Sequence, residues 1–128
     1  MASQFLESHY QVNLIISSPA ERAWTTAKGF AKTLQIADEY FLDDERFYHA
    51  SPSTLKEVIS NVDDTIEHLM IFGHNPGLTS LIENLSDFNL YNLPTCAICG
   101  IEFPFESWKD ILTTKGEKIY YDFPKSRA

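Results

Sequence analysis

Basic residues and cysteines are both scarce in this sequence, and it has no long apolar run. Its 128 residues hold 10 lysines and arginines against 18 acidic residues, which gives a formal net charge of −8 at pH 7. This balance argues against nucleic acid or an anionic membrane as a partner, because both attract basic patches. Since the sequence shows neither a membrane span nor a charged-then-apolar leader, we expect a soluble cytoplasmic protein.

The two cysteines, Cys96 and Cys99, are too few for a disulfide framework. Their C-x-x-C spacing would suit a redox or zinc pair only if both sulfurs lay on one side. Residues 95–103 are predicted to form a strand, in which side chains three positions apart point to opposite faces. We therefore interpret both cysteines as reduced and packed.

Strand-like and helix-like segments alternate along the rest of the chain. Strands are predicted over residues 12–16, 69–72, 95–103 and 118–123, with a short edge strand at 40–42 or 46–48. Helices are predicted over residues 19–34, 52–59 and 77–85. This order predicts one α/β domain over residues 1–128. It would be a three-layer α/β/α sandwich with a mostly parallel sheet and an antiparallel C-terminal edge.

The buried strand over residues 69–72 ends at the sequence Gly-His-Asn-Pro-Gly. Such a strand brings His74 to the rim outside the carboxyl ends of the strands, where open α/β sheets bind their ligands. Asn75 is predicted to be the N-cap of the next helix, and Pro76 its first residue. His74 would then lie beside a helix N-terminus, which favours an anion. The alternative is a structural histidine that closes a tight turn.

A second strand-to-helix junction has the same design. The strand over residues 12–16 is followed by Ser18, Pro19 and Glu21, which predict a capping box with a proline start. Arg22 lies off the apolar stripe of this helix. Its guanidinium is either a solvated surface cation or a planar fork that binds a phosphate together with the helix N–H groups.

These two junctions together resemble the histidine phosphatase superfamily, specifically its small phosphohistidine-phosphatase branch. Residues 17–27 match the pattern S-S-P-x-x-R-A-x-x-T-A, and residues 73–78 read G-H-N-P-G-L. Residues 46–52 and 95–98 also look like that branch. The resemblance covers essentially the whole chain and implies a phosphoglycerate-mutase-like fold.

The resemblance also implies a phosphoryl-transfer reaction that needs no metal or other cofactor. In this family, the histidine of an N-terminal Arg-His motif attacks the phosphoryl group, and water then hydrolyses the resulting phosphohistidine. Two arginines and a second histidine hold the phosphoryl oxygens. Arg22 matches the later arginine and His74 the second histidine, with Asn75 expected at the same phosphate. Such a clamp suits phosphoryl transfer, which depends on positioning and on stabilising charge on the equatorial oxygens.

The chain departs from the family at the nucleophile. It contains no Arg-His dipeptide, and residues 1–9 look like the last turns of the helix before the family's second strand. We therefore expect the first strand and the nucleophilic histidine to be missing, and this chain alone to be inactive or impaired. His49 stands where relatives often carry a glutamate that protonates the leaving group. A solvated loop histidine is the alternative for that position.

Two functions of different classes follow from this combination. The first is a phosphohistidine or phosphomonoester phosphatase, whose partner would be a phosphorylated protein or a small phosphate ester. The second is a non-catalytic phosphate-binding or interaction domain that has kept Arg22 and His74. An in-frame Arg-His segment upstream of Met1 would favour the first function, and its absence the second.

The missing strand also predicts how the chain associates. In the family's sheet, the first strand lies between the strand over residues 69–72 and the strand over residues 95–103. Without it, each of these strands would have an unpaired edge, and unpaired buried backbone groups are costly. We expect the two strands to pair directly, to borrow a strand from a second copy, or to dimerise along an exposed edge. We therefore hypothesise a homo-oligomer.

Overall fold

The computed structural model describes residues 11–48, 50–88, 98–104 and 106–122. Its residues fall into two compact units. The first unit comprises residues up to 49 together with residues 65–74, and the second comprises residues 50–64 together with the chain from residue 75 onward. The α/β class predicted from the alternation of segments is confirmed. That one domain spans residues 1–128 stays a prediction.

The first unit is built on a three-stranded parallel sheet. β1 (Leu14–Ser17) is the central strand, with β2 (Phe41–Asp43) on one side and β3 (Leu69–Phe72) on the other. All four residues of β1 are buried, and Ile15 is 0% exposed. The continuous apolar run in the sequence therefore marks the centre of the sheet, as is usual for parallel strands.

The helix α1 (Glu21–Thr33) packs against this sheet through its apolar stripe. The ring of Phe30 lies 5.2 Å from that of Phe72 on β3, and Trp24 stacks on Phe41 of β2 at 4.3 Å. The remaining buried residues of the stripe are small, namely Ala23, Ala27 and Ala31. The stripe predicted from spacings of three and four is confirmed.

The predicted capping box at the start of α1 is wrong. The N-cap is Ala20, and no side chain caps the helix. The Oγ of Ser18 instead accepts the N–H of Ala20 at 3.2 Å, two residues along the chain, rather than an N–H three residues along. Since that hydroxyl also faces a second partner, described below, the helix begins two residues later than the proline signal predicts.

The short edge strand corresponds to the first of its two predicted positions. It is β2, while Glu45–Phe47 form a 3-10 turn whose N-cap is Asp44. Phe47 is fully buried, which explains why the sequence around it looked strand-like.

The second unit combines two helices with an antiparallel pair of strands. α2 (Pro52–Ser60) begins with Ser51 as N-cap and contacts both α3 (Gly77–Leu85) and a 3-10 helix, Trp108–Leu112. The buried side chains of this unit include Leu55, Val58, Ile59, Leu81, Ile82, Leu85 and Ile111. Both helices start within one residue of their predicted positions, because each start carries a proline signal.

β4 (Ile98–Glu102) and β5 (Glu117–Asp122) form the predicted antiparallel edge. Among the described strands, β4 pairs with β5 and β3 pairs with β1, in separate sheets. Direct pairing of β3 with β4, strand exchange and dimerisation all stay predictions.

Cys99 lies on β4 and is a half-buried free thiol. Burial raises its pKa to about 11, so the nucleophilic thiolate is scarce near neutral pH. A packed, reduced cysteine was predicted at this position. Cys96, like the predicted helix over residues 1–9, lies outside the described residues.

Two glycines give opposite expectations for the same substitution. A Cβ added at Gly29, inside α1, would meet nothing within 4 Å, so Gly29→Ala should stabilise the protein by about 0.5–1 kcal/mol. At Gly77 the new Cβ would lie 2.5 Å from the backbone carbonyl oxygen of Ala50, so Gly77→Ala should destabilise it by about 1–3 kcal/mol. Urea denaturation of the two variants measures both effects. Equal stabilities for the two would contradict this packing.

Candidate functional site

The carboxyl ends of the three parallel strands meet at one edge of the first unit's sheet. Ser17 at the end of β1 is in register with Asp43 of β2 and with Phe72 of β3. The segments that follow these strands therefore start side by side. They bring Ser18, Asp44 and His74 to the same edge, which is where ligands bind in open α/β sheets.

His74 makes a direct contact with Ser18 at this edge. The Nε2 atom of His74 lies 2.8 Å from the Oγ of Ser18, although the two residues are 56 positions apart in sequence. Ser18 is 0% exposed, whereas His74 is only partly buried. One edge of the imidazole is therefore held by a buried hydroxyl. The sequence signalled His74 at the rim, but it did not indicate Ser18 as its partner.

The face of the His74 ring is covered by Tyr48. The two rings are nearly parallel, with an interplanar angle of 10° and centroids 6.1 Å apart. Tyr48 is itself 46% exposed. Sequence reasoning treated the segment around Tyr48 as an edge strand and gave this side chain no role. An aromatic residue next to the predicted rim residue His49 was the available signal.

Arg22 is the second residue of α1, the helix that begins at this same edge. It is exposed, and within the described residues its guanidinium forms no hydrogen bond or ion pair. No hydrogen bond joins it directly to His74 in the described part of the chain. Arg22 therefore brings an uncompensated positive charge to the first turn of α1. Whether it shares an anion with His74 stays a prediction.

Arg46, which follows β2, is held by a carboxylate at the same edge. Its Nε and Nη2 atoms donate to the two oxygens of Asp44 at 3.0 and 2.7 Å, and its backbone N–H donates to Asp44 at 2.9 Å. Hydrogen bonding to Arg46 holds the pKa of Asp44 below its ordinary value. Unlike Arg22, Arg46 therefore has its charge balanced within the protein.

Substitution of Arg46 by glutamine should raise the pKa of Asp44 towards its ordinary value. The contribution of this pair to stability is present above the pKa of the unfolded state and is lost as pH falls through the lowered folded-state pKa. In the Arg46→Gln variant this contribution should be absent, and the Asp44 carboxylate should become protonated at a higher pH than in the wild type. An NMR pH titration of the Asp44 carboxyl carbon measures the change. An unchanged midpoint would mean that the pair has little influence in solution.

Asn75 belongs to the second unit, where its side chain serves α3. Its Oδ1 accepts the Oγ1–H of Thr79 at 2.8 Å and the N–H of Thr79 at 3.3 Å. The prediction of Asn75 as the N-cap of α3 is wrong by one residue, because the N-cap is Pro76. Asn75, the residue before it, still accepts a hydrogen bond from the N–H of Thr79 in the first turn. The expected contact of Asn75 with phosphate is untested. His49, the remaining predicted site residue, lies outside the described residues.

Within the described residues, no group of three or more His, Cys, Asp or Glu side chains is arranged to hold a metal ion. In the same residues, no helix is long and apolar enough to cross a membrane.

Comparison with known proteins identifies the fold. No family model and no curated protein sequence matches the chain. Among solved structures, the candidate phosphohistidine phosphatase SixA from Nakamurella multipartitia matches with a TM-score of 0.79 at 15% identity, over 96% of this chain and 77% of that one. The corresponding SixA candidate from Agrobacterium tumefaciens matches with a TM-score of 0.75 at 19% identity, over 96% and 75% of the two chains.

The chain therefore has the phosphoglycerate-mutase-like α/β fold of these two structures. Both of these similar structures are described as candidate phosphohistidine phosphatases of the SixA type. The resemblance predicted from the motifs is confirmed at the level of the fold. Identities of 15% and 19% do not extend to activity.

Proposed function

We propose that this chain is a phosphate-binding member of the phosphohistidine-phosphatase branch, acting on a phosphorylated protein or a small phosphate ester. The observation that carries the proposal is the edge of the first unit's sheet, where His74 contacts Ser18 and where Arg22, which forms no ion pair within the described residues, follows on α1. The confirmed fold supports it, because this edge is where α/β sheets of this kind place their ligands.

Arg22 and His74 would each donate hydrogen bonds to a bound phosphoryl group. Arg22 offers a planar fork of donors that matches two phosphoryl oxygens, and its charge is not already neutralised within the described residues. His74 offers one ring nitrogen, because its Nε2 faces Ser18. A charged donor and an oriented imidazole at one edge are the elements of a phosphoryl clamp.

The chemistry of turnover would need one further group. The family resemblance implies a nucleophilic histidine within an Arg-His motif, and the sequence contains no such dipeptide. We propose that these residues bind a phosphoryl group and that a nucleophile from outside them is needed to accept it. A non-catalytic anion-binding domain is the second candidate function, and it would be favoured if no in-frame Arg-His segment lay upstream of Met1.

Loss of either clamp residue should weaken phosphate binding. Removal of one hydrogen-bond donor to a charged group costs about 1.5–3 kcal/mol, so Arg22→Ala and His74→Ala should each lower the affinity for phosphate or tungstate by roughly 10- to 100-fold. Isothermal titration calorimetry of the wild type and both variants measures this.

Lys28→Ala is the matched control for charge. Lys28 is an exposed cation on the same helix, more than one turn further from the edge, so its removal lowers the net charge equally without touching the clamp. We expect its affinity for phosphate to stay within about twofold of the wild type, since a distant exposed charge is largely screened. Equal losses in all three variants would show that binding is non-specific, and no loss in Arg22→Ala and His74→Ala would reject the proposed site.

A further inference from the structure

The acceptor of the hydrogen bond that the Ser18 hydroxyl donates can be deduced from its neighbours. A serine hydroxyl donates one hydrogen bond and accepts up to two. The Oγ of Ser18 accepts the N–H of Ala20 at 3.2 Å, and it lies 2.8 Å from the Nε2 of His74. The Oγ of the neighbouring Ser17 is directed to another group, since it donates to the backbone carbonyl of Ser18 at 2.9 Å.

The hydrogen of this hydroxyl therefore has a single available acceptor among the described residues, the Nε2 of His74. Ser18 is 0% exposed, so water cannot take that role from outside. A buried hydroxyl that fails to donate carries a penalty, whereas donation to Nε2 satisfies both groups. Ser18 is consequently the donor in this contact, and the Nε2 of His74 is the acceptor.

We propose that Ser18 is a positioning residue that holds neutral His74 as the tautomer with its proton on Nδ1. A neutral imidazole carries one N–H, so a lone pair on Nε2 requires the proton on the other nitrogen. The Tyr48 ring lies nearly parallel to the imidazole, with the ring centroids 6.1 Å apart. This inference rests on the proposed function for its purpose, since Nδ1–H then becomes the donor for a phosphoryl oxygen.

The tautomer changes what His74 can do without its being charged. With the proton on Nδ1, the neutral ring donates a hydrogen bond to an anionic oxygen. With the proton on Nε2, the Nδ1 lone pair would face that oxygen and repel it. Phosphate binding by the wild type should therefore persist at a pH where the imidazole is neutral. Removal of the Ser18 hydroxyl should weaken binding under those conditions.

Nitrogen NMR of the histidine side chains tests the assignment directly. The 15N shifts of the two ring nitrogens distinguish Nδ1–H from Nε2–H, and His74→Gln identifies the signals of His74. Spectra are recorded at about pH 8.5, well above the ordinary imidazole pKa of about 6.5. We expect Nδ1–H in the wild type, and a shift towards Nε2–H or a mixture in Ser18→Ala.

Ser17→Ala is the matched control. Ser17 is the neighbouring serine and is equally buried, and its hydroxyl donates to the backbone carbonyl of Ser18. Its loss should leave the tautomer and the phosphate affinity unchanged, whereas Ser18→Ala should lower the affinity at the same pH by about tenfold, as expected for one lost positioning hydrogen bond. Ser18→Thr retains a hydroxyl and should restore the Nδ1–H signal, which separates the effect from a folding defect.

An Nε2–H signal in the wild type would overturn the assignment, and so would an unchanged His74 tautomer in Ser18→Ala. If no variant binds phosphate, the proposed function fails. The nitrogen spectra then decide the role of Ser18 on their own.

Discussion

Replacement of Ile15 by alanine should lower the free energy of unfolding of the first unit by about 2–5 kcal/mol, a large part of the 5–15 kcal/mol typical of a whole protein. Ile15 is 0% exposed and lies in the middle of β1, in register with Phe41 on one side and Met70 on the other. Its side chain is therefore surrounded in the centre of the sheet. Loss of its methyl groups leaves a cavity that the flanking strands cannot fill.

Two matched controls vary either the size of the change at Ile15 or the burial of the isoleucine that is replaced. Ile15→Val removes a single methylene and should cost about 0.5–1.5 kcal/mol. Ile119→Ala makes the same substitution at an isoleucine on β5 that is 40% exposed, so we expect a smaller cost. Urea denaturation followed by circular dichroism gives the values. If Ile15→Ala and Ile119→Ala cost the same, β1 is not the centre of the core.

The bounds of β3, α2 and α3 could be predicted closely, because each depends on residues within a few positions of the boundary. β3 has the bounds predicted for it, 69–72, because the apolar run stops at Gly-His-Asn-Pro-Gly. α3 covers the predicted 77–85, one residue after the start that Asn75 as N-cap and Pro76 as first residue would give. α2 agrees to within one residue for the same reason, since Ser51 and the following proline define its start. These features could be predicted because their causes lie within a few residues.

The start of α1 was mispredicted because its cause is not local. The pattern of Ser18, Pro19 and Glu21 favours a capping box, and nothing nearby contradicts it. In the structure, the Ser18 hydroxyl is engaged by a histidine 56 positions away. The sequence around Ser18 gives no sign of a hydrogen-bond partner so far along the chain. The missed contact between Ser18 and His74 and the mispredicted start of α1 therefore have the same physical cause.

The candidate site shows the same division. The positions of His74 and Arg22 after strand ends followed from the predicted order of elements, while their role at a phosphate stays a prediction. Tyr48 was not identified, because its stacking on His74 depends on how the segment after β2 turns. The pairing of Arg46 with Asp44 is only two residues apart and was open to prediction, since a short acidic–basic spacing often forms a capped turn.

Addition of an N-terminal segment that carries a strand ending in Arg-His should raise phosphatase turnover by at least about 10³-fold over the 128 residues alone, because a clamp without its nucleophile can bind a phosphoryl group but cannot accept it. The chain contains no Arg-His dipeptide, and its fold is that of proteins described as candidate phosphohistidine phosphatases. Turnover is measured with p-nitrophenyl phosphate and with a phosphohistidine peptide. We expect the 128 residues alone to be close to the background rate.

Three variants of the extended protein separate nucleophilic catalysis from binding. Replacement of the added histidine by alanine should abolish turnover while phosphate still binds, because only the acceptor of the phosphoryl group is lost. Arg22→Ala and His74→Ala should reduce both binding and turnover, because they act on the clamp. Full turnover by the 128 residues alone would mean that the nucleophile is already present. His9, His49 and His68 would then be the residues to replace, since His74 is committed through Nε2 to Ser18.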